Sequence, residues 1–110
     1  MKTIFHIDST YAFETLIGNV KNLSKLYNDN NFDIIILANS KAVKGLLKLE
    51  VVNEIKALSS SNITFKACNN ALNKYMINPS DLNELIKVVP AGVYELTLKQ
   101  TEGYAYIKVS

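Results

Sequence analysis

The sequence of 110 residues contains only one cysteine and one histidine. A single cysteine excludes an internal disulfide and any zinc or iron–sulfur site that needs several thiolates. A single histidine leaves a histidine-based metal site short of ligands, so we expect neither a metal nor another cofactor. The two prolines and four glycines indicate an ordinary globular composition.

Long apolar runs and an excess of one charge are also lacking. The longest apolar run, Ile34–Ala38, is too short to span a bilayer, and residues 1–6 lack the apolar stretch of a signal peptide. The 12 basic and 10 acidic residues form no basic stripe, which leaves nucleic-acid and membrane binding without electrostatic support. We therefore expect one domain over residues 1–110, located in the cytoplasm.

Three common catalytic or nucleotide-binding signatures are missing from the sequence. It has no Gly-x-Gly-x-x-Gly after the first predicted strand and no Walker-type loop, which argues against dinucleotides and nucleoside triphosphates. It also has no Gly-x-Ser-x-Gly elbow, so a serine hydrolase of that type is not indicated.

Apolar residues alternate between strand-like runs and helical spacing along the chain. The pattern predicts strands at residues 2–7, 32–38, 63–67, 87–89 and 104–109. It predicts a long first helix over 11–28, capped by Ser9 or Thr10 and ended by the turn residues 28–31. Shorter helical patches follow at 42–47, 51–58, 71–75 and 78–86. This alternation predicts an α/β fold with a parallel sheet.

The segment 91–101 has two interpretations. Tyr94, Leu96 and Leu98 alternate with polar residues, which slightly favours a strand and a hairpin turn into the last strand. Val93, Leu96 and Gln100 also fit one face of a helix, which Gly103 would end.

Polar residues follow the predicted strands, where parallel α/β sheets bind their ligands. The residues that we expect to line such a site are Asp8, Ser9, Asn39, Asn69, Asn70 and Gly92, around Cys68. We expect Cys68 to be partly exposed at the mouth of a pocket, with Asp8 and Asn39 lining the same mouth. A helix beginning near Asn70 would direct its unpaired N–H groups toward the thiol and favour the thiolate.

Each of these residues also has a purely structural interpretation. Cys68 could be a small buried apolar residue at the edge of the core. Asn69 and Asn70 are typical helix caps, and Asp8 could be a general base, a ligand or an N-cap. His6 lies among apolar residues of the first strand, which favours a packed and hydrogen-bonded role over catalysis.

Six segments together resemble the DsrE/DsrF-like proteins. They include Cys68-Asn69-Asn70 and its neighbours, and they follow the order of that family: residues 4–8, 18–23, 38–43, 65–72, 88–93 and 100–108. The resemblance covers essentially the whole chain. It is strongest to small single-domain members, many of which have no assigned activity.

The resemblance implies a three-layer α/β sandwich with a mostly parallel, five-stranded, flavodoxin-like sheet. It implies a helix at 91–101, in place of the hairpin, and a homo-oligomer, either a trimer or a hexamer. For the sulfur-relay members it implies a cysteine that carries sulfane sulfur as a persulfide, and Cys68 stands in the corresponding segment. The residues around Cys68 differ from those of the relay members, and the chain has no second cysteine.

Two functions follow as expectations. The first is a sulfurtransferase-like carrier, in which Cys68 takes sulfur from a donor protein and passes it to an acceptor protein. The second is a non-catalytic oligomeric module for ligand binding or assembly, in which Cys68 only lines the pocket.

Overall fold

Five parallel strands form one sheet in the order β4-β3-β2-β1-β5. The structure is a computed structural model that describes residues 1–27 and 30–110. The strands are β1 (Lys2–Ile7), β2 (Asp33–Ala38), β3 (Ile63–Cys68), β4 (Ile86–Val89) and β5 (Ala105–Val109). Each strand lies within one residue of its predicted bounds, because β-branched and apolar runs mark the strands clearly.

In residues 1–27 and 30–110, five helices connect the strands, and one 3₁₀ turn precedes β4. They are α1 (Phe13–Leu26), α2 (Ala42–Gly45), α3 (Leu49–Leu58), α4 (Asn69–Lys74) and α5 (Gly92–Thr101). In the described residues, no helix combines the length and the apolar character needed to cross a membrane.

The start of α1 differs from the prediction. The first helical hydrogen bond runs from the Leu16 N–H to the carbonyl of Ala12, so the N-cap is Ala12 and not Ser9 or Thr10. No side chain caps this end. At the other end α1 stops at Leu26, ahead of the predicted turn at 28–31. Two residues of that turn, Asn28 and Asp29, lie outside the described residues.

The predicted helix over residues 78–86 is wrong. Only Pro79–Asp81 forms a 3₁₀ turn, and the Asn78 side chain accepts a hydrogen bond from the Ser80 N–H at its start. Ile86 belongs to β4, where it pairs with Phe65 of β3. The tertiary ladder therefore overrides the weak helical spacing of this short segment.

The segment 91–101 is helical, so the hairpin favoured by its alternation is wrong. Leu96 is buried on the inner side of α5, and Gly103 follows the helix with a φ of 94°. A glycine in this left-handed conformation ends the helix without steric cost.

The two faces of the sheet are covered unequally. Alternate strand residues such as Phe5, Ile34 and Ile36 pack with residues of α1, α3 and α4 in the main core. On the opposite face, Ile4, Ile35 and Leu37 pack with Leu96 of α5. One helix therefore covers the second face, on which Tyr106 of β5 remains 41% exposed.

A buried ion pair attaches α5 to the second face. Lys66 Nζ of β3 lies 2.6 Å from Glu95 Oε2, and both side chains are largely buried. At the start of β5, the Tyr104 hydroxyl donates a hydrogen bond to the Asp33 carboxylate. Burial, together with this carboxylate, raises the pKa of Tyr104 above its ordinary value of 10.0.

Candidate functional site

The connections after β3 and β4 leave on opposite faces of the sheet. Helix α4 follows β3 and packs on the main core, whereas α5 follows β4 and packs on the second face. Neighbouring parallel strands with this arrangement form a crevice at their carboxyl ends, where α/β proteins bind ligands. Here the crevice lies between Cys68 at the end of β3 and the segment after β4.

Cys68 is both the last residue of β3 and the N-cap of α4. Its thiol is more buried than predicted, because the residue is only 6% exposed. Its sulfur accepts a hydrogen bond from the Gly92 N–H at 3.2 Å. The donor to the thiol that the structure shows therefore comes from α5. The sequence predicts donors from the helix after β3 instead, and the structure shows no such hydrogen bond to the sulfur among the described residues.

Gly92 can approach the sulfur because it has no side chain. Ala91 is the N-cap of α5 in an extended conformation, so the Gly92 N–H is one of the helix's unpaired donors. A Cβ at Gly92 would lie 3.1 Å from Asn39 Cβ and 3.4 Å from Leu37 Cδ2. This close packing holds the positive end of the ten-residue α5 against the thiol.

A cavity of about 270 Å³ adjoins the sulfur. Three of the predicted site residues besides Cys68 line it: Asn39, Asn70 and Gly92. The remaining lining residues are Ser40, Ala71, Lys74, Ala91 and Val93. Because Ser40, Asn70 and Lys74 are exposed, the cavity opens to the surface. Its volume suits a small ligand or the end of a larger one.

Asp8, Ser9 and Asn69 do not line this cavity. Asp8 follows β1, which is separated from β3 by β2, and its carboxylate pairs with Lys108 at 3.2 Å. Asn69 is the first residue of α4. The expectation that Asp8 and Asn39 share one mouth is therefore wrong: β1 and β2 are neighbours, but the Asp8 carboxylate pairs with Lys108 of β5, on the side of β1 away from β2 and the cavity.

Sequence reasoning did not assign Lys74, His6 or Tyr106 to the site. Lys74 enters the cavity lining because it lies four residues after Asn70 on the same helix. His6 Nε2 is 2.8 Å from Asn39 Oδ1, and His6 Nδ1 is 2.7 Å from the Tyr106 hydroxyl. The predicted packed and hydrogen-bonded role of His6 is confirmed. Its two partners become visible only when β1, β2 and β5 are placed side by side.

A second and larger cavity lies away from the thiol. It measures about 540 Å³ and lies between α1 and α3, where its lining includes Phe13, Ile17 and Glu54. None of the predicted site residues lines it. Among the described residues, no group of three His, Cys, Asp or Glu side chains could hold a metal ion.

The fold and the site define an all-parallel α/β protein with one thiol at the point where the helical connections change face. The sequence matches the DsrE/DsrF-like family over residues 2–109, and the chain belongs to this family. No functionally curated protein matches the sequence.

Solved structures share the fold over nearly the whole chain. The protein of unknown function MTH1491 from Methanobacterium thermoautotrophicum is 33% identical, with a TM-score of 0.87 and 97% coverage of both chains. The conserved protein of unknown function BT1422 from Bacteroides thetaiotaomicron is 21% identical, with a TM-score of 0.76 and coverage of 97% and 93%. The ychN protein from E. coli is 15% identical, with a TM-score of 0.70 and coverage of 98% and 99%.

Proposed function

We propose that the protein is a sulfur carrier in which Cys68 holds sulfane sulfur as a persulfide. The observation that carries this proposal is the contact between the Cys68 sulfur and the Gly92 N–H beside an open cavity. A backbone donor at a helix N-terminus stabilises an anionic sulfur, and the cavity has room for a second sulfur atom. Membership of the DsrE/DsrF-like family supports a sulfur-relay role.

The transfer needs no cofactor and no net oxidation. The Cys68 thiolate attacks the outer sulfur of a persulfide on a donor protein. A new S–S bond forms at Cys68 while the S–S bond of the donor breaks. The donor leaves as a thiolate with the electron pair of that bond. The reverse exchange with the thiolate of an acceptor protein releases the sulfur and restores the Cys68 thiolate.

Mass spectrometry of the intact protein after incubation with a low-molecular-weight persulfide tests this proposal. We expect an adduct of one sulfur atom, which a reductant removes. Because Cys68 is the only cysteine, the adduct maps to one site. Cys68→Ser is the matched control, in which we expect no adduct. If the folded wild-type protein also acquires no adduct, the carrier proposal fails.

A second candidate is a binding module in which Cys68 only lines the cavity. The observation that favours it is the burial of Cys68, which is only 6% exposed. The same two proteins distinguish the candidates. If Cys68→Ser keeps the biological phenotype of the wild-type gene in a deletion strain, the thiol serves packing and the module proposal replaces the carrier. If the phenotype is lost while the variant remains folded, the carrier proposal is supported.

We further propose that the protein acts as a cytoplasmic homo-oligomer, because β5 is an exposed edge strand. Tyr106 and Ile107 are each 41% exposed and lie on opposite faces of β5. Aromatic and aliphatic side chains of this kind are typical of interface cores, and association would cover the free strand edge. A reducing cytoplasm suits a lone thiol that must stay free. We expect light scattering at micromolar concentration to give a trimer or hexamer mass, and a monomer mass would contradict the assembly.

A further inference from the structure

A chain of hydrogen bonds connects the exposed edge of the sheet to the cavity beside Cys68. The Tyr106 hydroxyl lies 2.7 Å from His6 Nδ1, and His6 Nε2 lies 2.8 Å from Asn39 Oδ1. The two rings are 5.8 Å apart between centroids. Asn39 itself lines the cavity with Cys68. The chain therefore ends at the site, although neither His6 nor Tyr106 lines the cavity.

The strand register explains why these residues meet. His6 pairs with Leu37 of β2 and with Lys108 of β5. Tyr106 pairs with Ile4, which lies two residues before His6 on β1. Side chains alternate along a strand, so His6 and Tyr106 share the face of the sheet on which α5 packs. Asn39 comes two residues after Leu37 and continues this face. The last β2–β3 pair is Ala38 with Ala67, which places Asn39 beside Cys68.

The backbone of Asn39 is held on both sides. Its N–H donates to the Ile7 carbonyl at 3.1 Å, and its own carbonyl accepts from the Ala42 N–H at 3.1 Å. Only the side-chain amide is then left to be oriented. Asn39 Nδ2 lies 3.2 Å from the point that a Cβ on Gly92 would occupy, so the NH₂ group is on the Gly92 side.

The polarity of the chain follows from the donor and acceptor capacity of each group. An amide oxygen only accepts, so the His6 Nε2–H must donate to Asn39 Oδ1. In neutral imidazole the other nitrogen is then an acceptor, so Nδ1 receives the hydrogen bond of the Tyr106 hydroxyl. Within the described residues, no acceptor is hydrogen-bonded to Asn39 Nδ2. The amide NH₂ is thus available to a ligand in the cavity.

We infer that His6 and Tyr106 are positioning residues that hold the Asn39 NH₂ toward the cavity, as a second donor for anionic sulfur beside the Gly92 N–H. This inference deepens the proposed function and rests on it for the identity of the anion. Cys68 and Asn39 line the same cavity, so an outer sulfur added to Cys68 would have room there beside the Asn39 amide. A reversed amide would present an oxygen to that sulfur, and two groups rich in lone pairs repel each other.

Nitrogen-15 NMR of the His6 ring in the full-length protein tests the polarity directly. His6 is the only histidine, so its ring signals need no assignment strategy. In spectra recorded at a pH where the ring is neutral, we expect the proton on Nε2 and none on Nδ1. The opposite tautomer, with the proton on Nδ1, would mean that Asn39 Nδ2 faces His6 and would overturn the inference.

The rate of Cys68 alkylation by iodoacetamide at pH 7 tests the effect on the sulfur. Asn39→Asp keeps the shape of the side chain but replaces the NH₂ by a charged oxygen. We expect its rate to fall about tenfold, because the thiolate loses one hydrogen bond and also gains a like charge beside it. For His6→Leu we expect a fall of about threefold, because thiolate population and nucleophilicity change in opposite directions.

A rescue variant and a matched control separate positioning from packing. His6→Gln returns an amide N–H for Asn39 Oδ1, so we expect most of the wild-type rate. Tyr104→Phe removes a phenol hydroxyl from the other end of the same face, and we expect an unchanged rate. If Asn39→Asp alkylates as fast as the wild type while remaining folded, the inference fails.

These measurements do not depend on sulfur transfer. Alkylation and the tautomer report on the thiol and the amide without any persulfide donor. A missing persulfide adduct combined with the expected alkylation rates would reject the carrier function and retain the positioning chain. A normal adduct combined with unchanged alkylation rates in every variant would support the carrier function and reject the positioning chain.

Discussion

Glu95→Ala is expected to lower the free energy of unfolding by about 3 kcal/mol, because it leaves the Lys66 charge buried without its partner. The two side chains are 15% and 8% exposed, and the N–O distance is 2.6 Å. Urea denaturation followed by circular dichroism measures this change. The loss should be accompanied by slower alkylation of Cys68, since the pair attaches α5, and α5 supplies the Gly92 N–H.

Two control variants show whether the stability loss in Glu95→Ala comes from the buried ion pair. Lys21→Ala breaks the partly exposed pair with Glu54, whose side chains are 44% and 35% exposed, and we expect it to cost less than about 1 kcal/mol. The double variant Lys66→Met with Glu95→Leu removes both charges. We expect it to recover most of the stability, because apolar residues can replace a buried ion pair. Equal losses in Glu95→Ala and Lys21→Ala would show that the buried pair does not hold α5.

Gly92→Ala is expected to slow sulfur loading of Cys68 about tenfold, because it displaces the N–H that donates to the sulfur. The added Cβ would meet Asn39 Nδ2 at 3.2 Å as well as Asn39 Cβ at 3.1 Å. Accommodating it requires α5 or Asn39 to move, and overpacking of this kind costs about 1–3 kcal/mol of stability. The loading rate is measured by the appearance of the one-sulfur adduct in mass spectrometry.

Gly18→Ala provides the matched control for Gly92→Ala. Gly18 lies in the middle of α1, and a Cβ there would have nothing within 4 Å. We expect this variant to be more stable by about 0.5–1 kcal/mol, because alanine favours the helix and restricts the unfolded chain. Its loading rate should equal that of the wild type. If both variants load sulfur comparably slowly, the slowing in Gly92→Ala does not come from the lost hydrogen bond to Cys68.

The strands were predictable because their signal is local. Ile34–Ala38 is continuous and apolar, and such a run is buried whichever strands lie beside it. The weaker signals failed where packing decided the outcome. Tyr94, Leu96 and Leu98 alternate as a strand would, yet α5 buries Leu96 against Ile4 and Leu37. Ile86 has helical spacing with Leu82, yet it pairs with Phe65 in the sheet.

The candidate site was predictable only in part. Cys68, Asn39, Asn70 and Gly92 were found because the carboxyl ends of parallel strands meet at one edge of the sheet. Asp8 follows the same rule but lies beside β5, where it pairs with Lys108. The rule selects the edge of the sheet, and it does not indicate how far along that edge the cavity extends: here it lies after β2, β3 and β4 and does not reach the end of β1.

By itself, the sequence determined that the protein is an α/β protein with one thiol at the end of its third strand, because apolar runs and residue types are local properties. Only the tertiary structure decided that Gly92 of α5 donates to Cys68 and that His6 and Tyr106 reach Asn39. These contacts join residues 24 to 100 positions apart. Strand order and the face chosen by each helix fix such contacts. Both depend on how the whole chain covers the two faces of its sheet.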